Sequence, residues 1–245
     1  MSQNSLHKHL FGEIQNVLSW EKRLGIIVGT ARGLTYLHED SNVRIIHRDI
    51  KCGNILLDDR FHPKIADFGL ARFFPDGETH VSTRVGGTIG YTAPEYAVHG
   101  QLTEKADVYS YGIVVLEIVS GRKSVNARLD ASMQLLLEWA WNQFQQDQVL
   151  DIVDSSLEGQ YPREQVLRVI RIALLCTQGS WALRPAMSEV VSMLTNNSEI
   201  TVQPTQPAFI DDSAGKPTDF TTPSDSVNLR SASSHGSITV SFVPR

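Results

Sequence analysis

A chain of 245 residues, 41% apolar and 20% charged, has the material for one substantial core, with or without a tail. Its formal charge of -5 offers no broad basic field to a phosphate backbone, which argues against a nucleic-acid partner. The two cysteines, Cys52 and Cys176, lie far apart and form no C-x-x-C, so neither a disulfide framework nor a zinc site is indicated. The first ten residues are polar and no apolar run reaches bilayer length. The sequence as it stands therefore reads as cytoplasmic and without a membrane span.

In chain order, Leu24, Ile27, Val28, Ala31 and Leu34 recur at i, i+3, i+4 and i+7, which predicts a helix running to about His38. The couplet Ile45-Ile46 follows. Asn54 to Leu57, closed by Asp58-Asp59, reads as a small strand and turn, and Lys64-Ile65-Ala66 as a second short strand. Residues 67–95, rich in Gly, Thr and Ser, read as a long loop, and a loop of that length in a compact domain is usually functional. Val108, Tyr111, Val115 and Ile118 then set a helical stripe that Gly121 stops; this helix is apolar nearly all round and is expected at the centre. Further helices are predicted at 133–145, 164–177 and 185–195, the last opened by Pro185. The result is a mainly α domain over residues 1–198 with a few short strands. Residues 199–245, rich in Pro, Ser, Thr and Asp, have too little apolar surface to offset ordering entropy and are expected to form a disordered tail.

Three motifs carry chemistry. His47-Arg48-Asp49-Ile50-Lys51-Cys52-Gly53-Asn54 matches the phosphoryl-transfer pattern H-R-D-x-x-x-x-N. In it Asp49 would orient an acceptor hydroxyl and take its proton, Asn54 would offer a carbonyl oxygen to Mg²⁺, and Lys51 would neutralise charge on the transferred group. Taken singly, an Asp or Asn here would be a turn residue; the whole octet is specific. Asp67-Phe68-Gly69 follows, where Asp67 would hold the Mg²⁺ that bridges ATP phosphates and Phe68 would pack beneath it. His47, Phe68 and Gly69 read as structural members of these two motifs. Ala93-Pro94-Glu95 closes the segment that begins at Asp67. Gly87-Thr88-Ile89-Gly90-Tyr91 stands just before it without the strand-turn-helix setting of a nucleotide-cradling loop. Thr88 is expected to face Asp49 and Lys51, a pairing that favours a serine or threonine acceptor over tyrosine. His7, His9, His62, His80 and His99 show no metal-ligand spacing.

These motifs, with Gly33 to His38, Ile45 to Asn54, Lys64 to Arg72, Gly87 to Tyr96 and Leu102 to Gly121, make residues 2–195 resemble the kinase domain of plant receptor-like kinases, the cysteine-rich group above all. Residues 206–209 and 237–241 resemble that group weakly. The resemblance implies a protein-kinase C-lobe, ATP and Mg²⁺ as cofactors, and a protein substrate with a Ser/Thr acceptor. It implies that Asp107 accepts backbone hydrogen bonds from the catalytic loop, although Asp107 also reads as a helix cap. It implies that Glu95 pairs with Arg184, although Arg184-Pro185 also reads as a helix start. Arg48 beside Asp49 marks kinases whose activation loop is ordered by phosphate, and Thr79, Ser82 and Thr83 are the candidate acceptors. Tyr109 stands where many kinases have tryptophan.

The kinase pattern also includes a Gly-rich loop, a strand lysine and a helix glutamate that pairs with it. Residues 1–10 resemble the segment just after the hinge, so the N-lobe is expected to be absent and the isolated chain weakly active or inactive. Two readings follow. In the first, the chain is an incomplete receptor-like serine/threonine kinase whose full form works at the plasma membrane. In the second, it is a non-catalytic interaction module that competes with an intact receptor-like kinase or engages a co-receptor.

Overall fold

The computed structural model describes residues 4–12, 17–74, 81–82, 85–130, 133–196 and 199–208. Its longest helices are α2 (Trp20–Thr35), α4 (Glu104–Ser120) and α6 (Arg163–Cys176), with shorter helices α1 (Leu6–Phe11), α3 (Pro94–His99), α5 (Leu136–Gln145) and α7 (Met187–Thr195). Six short strands, β1 (Arg44–Ile46), β2 (Ile55–Leu57), β3 (Pro63–Ile65), β4 (Arg72–Phe74), β5 (Val81–Ser82) and β6 (Gln101–Leu102), pair antiparallel as β1-β4, β2-β3 and β5-β6. The mainly α C-lobe architecture predicted from the sequence is the one observed.

Helix α4 is the axis of the fold. Thr103 caps its start by accepting from the Lys105 N–H, and Gly121 ends it at φ 63°, a conformation cheap only without a Cβ. Every residue of α4 from Ala106 to Ser120 is buried, as its unbroken apolar run requires. It packs closely on α6 at Gly112, where a Cβ would stand 2.7 Å from Thr177 Cγ2 and 2.8 Å from the Ala173 carbonyl oxygen. On its other side the Tyr111 hydroxyl donates to the Ile27 carbonyl of α2 at 3.1 Å. One contiguous core joins Ile26, Ile27, Leu34, Val108, Tyr111, Val115, Ile170 and Leu174.

The structure differs from the sequence reading at several places, each because a distant partner decides the local form. The first long helix begins at Trp20 and passes at Tyr36–Asp40 into a π turn. The expected loop 67–95 contains a 3₁₀ turn, Phe68–Leu70, and strand β4, which exists because Arg72, Phe73 and Phe74 pair with Ile46, Ile45 and Arg44. Helix α5 starts at Leu136, not Met133, because Leu135 bridges to Val125 and the Leu136 N–H is taken by the Ser124 carbonyl. Helix α7 starts at Met187, where Glu189 accepts the Ala186 N–H at 2.7 Å. Helix α1 was not foreseen; Leu6 on it is fully buried, and the Asn4 carbonyl before it accepts from the Leu57 N–H. Beyond the composition break near Ser198, the chain continues packed as far as Ala208, with Ile200, Pro204 and Pro207 buried and the Thr205 N–H and hydroxyl donating to Gln178.

Arg23 on α2 is buried and donates to the carbonyls of Leu18 and Ile118 and, at 2.5 Å, to the Asp154 carboxylate. Burial alone would raise the Asp154 pKa, but hydrogen bonds from Arg23 and Ser156 outweigh it and hold the carboxyl below its ordinary value. A depressed native pKa contributes stability that is present above the unfolded value of about 3.9 and is lost as pH falls through the native one. Urea midpoints measured from pH 6 downward are therefore expected to fall below about pH 4, and Asp154→Asn to flatten part of that fall. An unaltered pH slope in the variant would exclude Asp154 as a source.

Candidate active site

The sequence octet lies between β1 and β2, and the buried carboxylate of Asp107 shapes its first residues. Asp107, in the first turn of α4 and fully buried, accepts the backbone N–H of His47 at 2.7 Å and of Arg48 at 2.8 Å, and the His38 Nε2 lies 3.0 Å away. Because Thr103 caps α4, Asp107 is not the helix cap. His47 Nδ1 accepts from the Asp49 N–H at 3.3 Å, which places its proton on Nε2, 3.0 Å from the Ala66 carbonyl oxygen. The His47 ring meets that of Phe68 edge-on at 4.9 Å, so the two motifs touch. Phe68 is nevertheless 46% exposed, with the His47 ring against one edge.

Two backbone positions within these two motifs are strained. Arg48 at φ 72° and Asp67 at φ 67° are left-handed without being glycine, the kind of conformation that costs about 1–3 kcal/mol and persists where the surroundings impose it. At Arg48 the imposing group is Asp107, and the guanidinium is held by the Tyr96 hydroxyl and by the Leu70 carbonyl at 3.0 Å. At Asp67 it is the Gly69 N–H, 3.4 Å from Asp67 Oδ1, which opens the 3₁₀ turn.

Asp49, Lys51, Asn54 and Thr88 converge. Thr88 donates its hydroxyl to Asp49 Oδ1 at 2.6 Å; Lys51 Nζ stands 2.7 Å from Asp49 Oδ2 and 2.9 Å from Thr88 Oγ1; Asn54 Nδ2 donates to Asp49 Oδ2 at 3.0 Å and to the Asp49 carbonyl at 2.9 Å. Burial alone would raise the Asp49 pKa, but the hydrogen bonds from Lys51 and Thr88 and the lysine charge pull it below the ordinary carboxylate range. Asp49 is therefore ionised at neutral pH. With its amide nitrogen committed to Asp49, Asn54 keeps its carbonyl oxygen for another partner, and Asp67 presents an exposed carboxylate. A hard oxygen pair of this kind suits Mg²⁺, which takes one or two protein ligands and completes its shell with phosphate oxygens and water. Among the described residues no group of three or more His, Cys, Asp and Glu could hold a metal by itself.

Glu95 and Arg184 form the pair that the resemblance implied: both guanidinium ends lie 2.8 Å from the two carboxylate oxygens, and the arginine side chain is fully buried. Thr79 and Thr83 lie outside the described residues, and Ser82 is on β5 opposite Gln101. Sequence reasoning missed Tyr96, whose hydroxyl also takes the Gly86 N–H, and it missed Glu117. The latter had a signal: it is the single acid within the apolar run Ile113–Val119. A cavity of about 1050 Å³ is lined by Trp20, Leu24, Tyr161 and Gln165, away from these residues. A smaller groove of about 140 Å³ is bounded by Gly90, Thr92, Val125 and Leu135 and adjoins the Thr88 segment. No helix among the described residues is long and apolar enough to cross a membrane.

Comparison with known proteins accords with this geometry. The family described as protein tyrosine and serine/threonine kinase matches residues 1–194. Cold-responsive protein kinase 1 of Arabidopsis thaliana is 56% identical over 181 residues, covering 74% of this chain and 46% of that protein. A probable LRR receptor-like serine/threonine-protein kinase of the same plant is 50% identical over 212 residues, 86% of this chain and 20% of the relative. Its cysteine-rich receptor-like protein kinase 2 is 47% identical over 219 residues, 86% of this chain and 34% of the relative. The chain thus spans between a fifth and just under half the length of these relatives. With catalytic-loop geometry, family match and relatives in agreement, the chain belongs to the protein tyrosine and serine/threonine kinase family, in the company of plant receptor-like kinases.

Proposed function

We propose that these residues supply the catalytic half of an ATP-dependent protein serine/threonine kinase. The observation that carries this reading is the triangle of Asp49, Lys51 and Thr88, all within 2.9 Å of one another through their polar atoms. ATP with Mg²⁺ supplies the phosphoryl group when bound, and Asn54 and Asp67 would hold the metal. Asp49, ionised and fixed by Asn54 and Lys51, orients the acceptor hydroxyl and takes its proton as the oxygen commits to phosphorus. A carboxylate this acidic is a weak base toward an alcohol, so orientation and late proton uptake are its roles. Lys51 carries the cation that offsets charge on the transferred group.

The Lys51–Thr88 contact supports a serine or threonine acceptor, and so does the likeness to serine/threonine-protein kinases. The groove at Gly90, Val125 and Leu135 would receive the chain next to the acceptor. Phosphate on Thr79, Ser82 or Thr83 would meet Arg48 and order the segment before Thr88. The receptor-like relatives support a plasma-membrane setting for the full-length form.

The test is calorimetric titration of the purified chain with ATP, with and without Mg²⁺, and with Asp67→Asn as control. Binding that requires Mg²⁺ and disappears in the variant is the expected result. No binding by the chain would turn the reading toward a non-catalytic module that works through protein contacts.

A further inference from the structure

Beyond α7 the chain lies against α6 and the loop after it as a strap, residues 199–208, which forms no helix or strand. Its order comes from fixed partners. Pro204 and Pro207 are buried and restrict the backbone around Thr205, which lowers the entropy lost on ordering. The Arg171 guanidinium donates to the Val202 carbonyl at 3.1 Å, and Thr205 gives its N–H at 3.1 Å and its hydroxyl at 2.9 Å to Gln178 Oε1. Gln178 is buried, and its amide nitrogen donates to the carbonyls of Leu175 and Leu183 at 3.1 and 2.6 Å, which aims its oxygen at the strap. Gly179 comes next. A Cβ there would stand 3.1 Å from the Ala208 nitrogen and 3.4 Å from the Gln206 carbonyl oxygen, so the strap rests on bare backbone.

The same turn holds the acceptor-facing segment. The Gln178 carbonyl accepts from Arg184 Nε at 2.8 Å, and Arg184 grips Glu95 at the end of the segment that carries Thr88. Strap and segment are thus both fixed by residues 178–184. Where they meet, Ala208 joins Gly90, Val125 and Leu135 in lining the groove of about 140 Å³, and Ile113 and Leu137 add apolar surface. Gly90, at φ 90°, lets the backbone approach Val125 closely, since a Cβ there would stand 2.8 Å from Val125 Cγ2 and 3.0 Å from Ser124 Oγ. The groove is therefore narrow, apolar and suited to an aliphatic side chain.

We propose that the strap is a specificity element of the acceptor groove: Ala208, held through Thr205, Gln178 and the bare backbone of Gly179, forms the wall that limits the side chain next to the acceptor hydroxyl to aliphatic size. The selectivity rests on the kinase reading above, whereas the place of the strap in the groove wall is a property of the folded chain and is tested without turnover.

The test uses the full chain with labelled methyl groups and two variants. Gly179→Val pushes the strap off its seat and leaves Gln178 and Arg184 in place; Ala208→Trp keeps the strap seated and fills the groove. The probes are seven-residue peptides of alanine around a central serine, in which the residue before or after the serine is alanine, leucine or tryptophan. In wild type the methyl signals of Val125, Leu135 and Leu137 are expected to report tighter binding of a leucine peptide than of its tryptophan counterpart, by about tenfold. Gly179→Val should shift those methyls without peptide, speed exchange of the Thr205 amide about tenfold and bring the two peptides within about twofold of each other. Ala208→Trp should leave the Thr205 amide protected and remove the advantage of leucine over alanine. Should Gly179→Val fail to fold, Ala208→Trp decides alone. A strap released in Gly179→Val with the peptide preference unchanged, or a leucine preference that survives Ala208→Trp, would overturn the proposal. A wild-type chain that binds none of the peptides, while Gly179→Val still shifts the methyls, would sink the acceptor reading and its selectivity and leave the strap as a wall of an unused groove.

Discussion

Arg184→Ala is expected to cost the chain about 3–5 kcal/mol, a large share of the 5–15 kcal/mol that holds a typical domain together. The side chain has no exposed surface, so its charge depends wholly on fixed partners. Besides Glu95 it donates to the carbonyls of Lys105 at 3.0 Å and Gln178 at 2.8 Å, and it lies over the Tyr109 ring at 5.0 Å. Truncation leaves the Glu95 carboxylate buried without a cation and removes the donor to the Gln178 carbonyl, which is why the loss exceeds the net worth of the pair. Arg184→Lys should recover only part of it, because an ammonium cannot make the two parallel bonds to Glu95 while also reaching Gln178. Urea unfolding followed by circular dichroism gives the loss. A second readout is Tyr109, whose phenol burial pushes up to about 12 even with Arg184 drawing it down; without the guanidinium it should titrate higher still in any variant that stays folded. A midpoint within about 0.5 M of wild type, which at an m of about 1–3 kcal/mol/M is at most about 1.5 kcal/mol, would mean the pair is a bystander.

The second large effect belongs to Asp107→Asn. The carboxylate is fully buried and accepts from two consecutive backbone N–H groups, with His38 as a third partner. Asparagine keeps the volume but offers one oxygen, and its NH₂ faces a backbone N–H, so at least one donor loses its acceptor inside the protein. Hydrogen bonds to a charged group contribute about 1.5–3 kcal/mol each, so the amides of His47 and Arg48 should exchange roughly a hundredfold faster. The left-handed backbone at Arg48 should relax with them, since Asp107 is what holds it there. Native-state hydrogen exchange resolves both amides; undiminished protection would show that the octet keeps its shape without α4.

Local sequence carried a good deal of this. The octet His47 to Asn54 and the trio Asp67 to Gly69 were recognisable because residue types with donor and acceptor chemistry stand at fixed short spacings. Helix α4 was recognisable because its apolar run is unbroken and Gly121 ends it. Strand β4 was not, because Arg72 to Phe74 take strand form only against Ile45 and Ile46, a pairing no local period announces. Tyr96 and Glu117 escaped for a related reason: a tyrosine or glutamate gains a specific role only from groups that the fold brings to it.

By itself, then, the sequence determined which residues can accept a proton, hold a hard cation or cap and stop a helix, since these are properties of side chains and their near neighbours. Only the tertiary structure decided that Asp107 meets the N–H groups of His47 and Arg48, that Arg184 reaches Glu95, and that Cys52 and Tyr91 share Glu117. The physical reason is burial: away from water each of these polar groups must find a partner within hydrogen-bond reach, and the packing of α4 at the centre determines which partner that is.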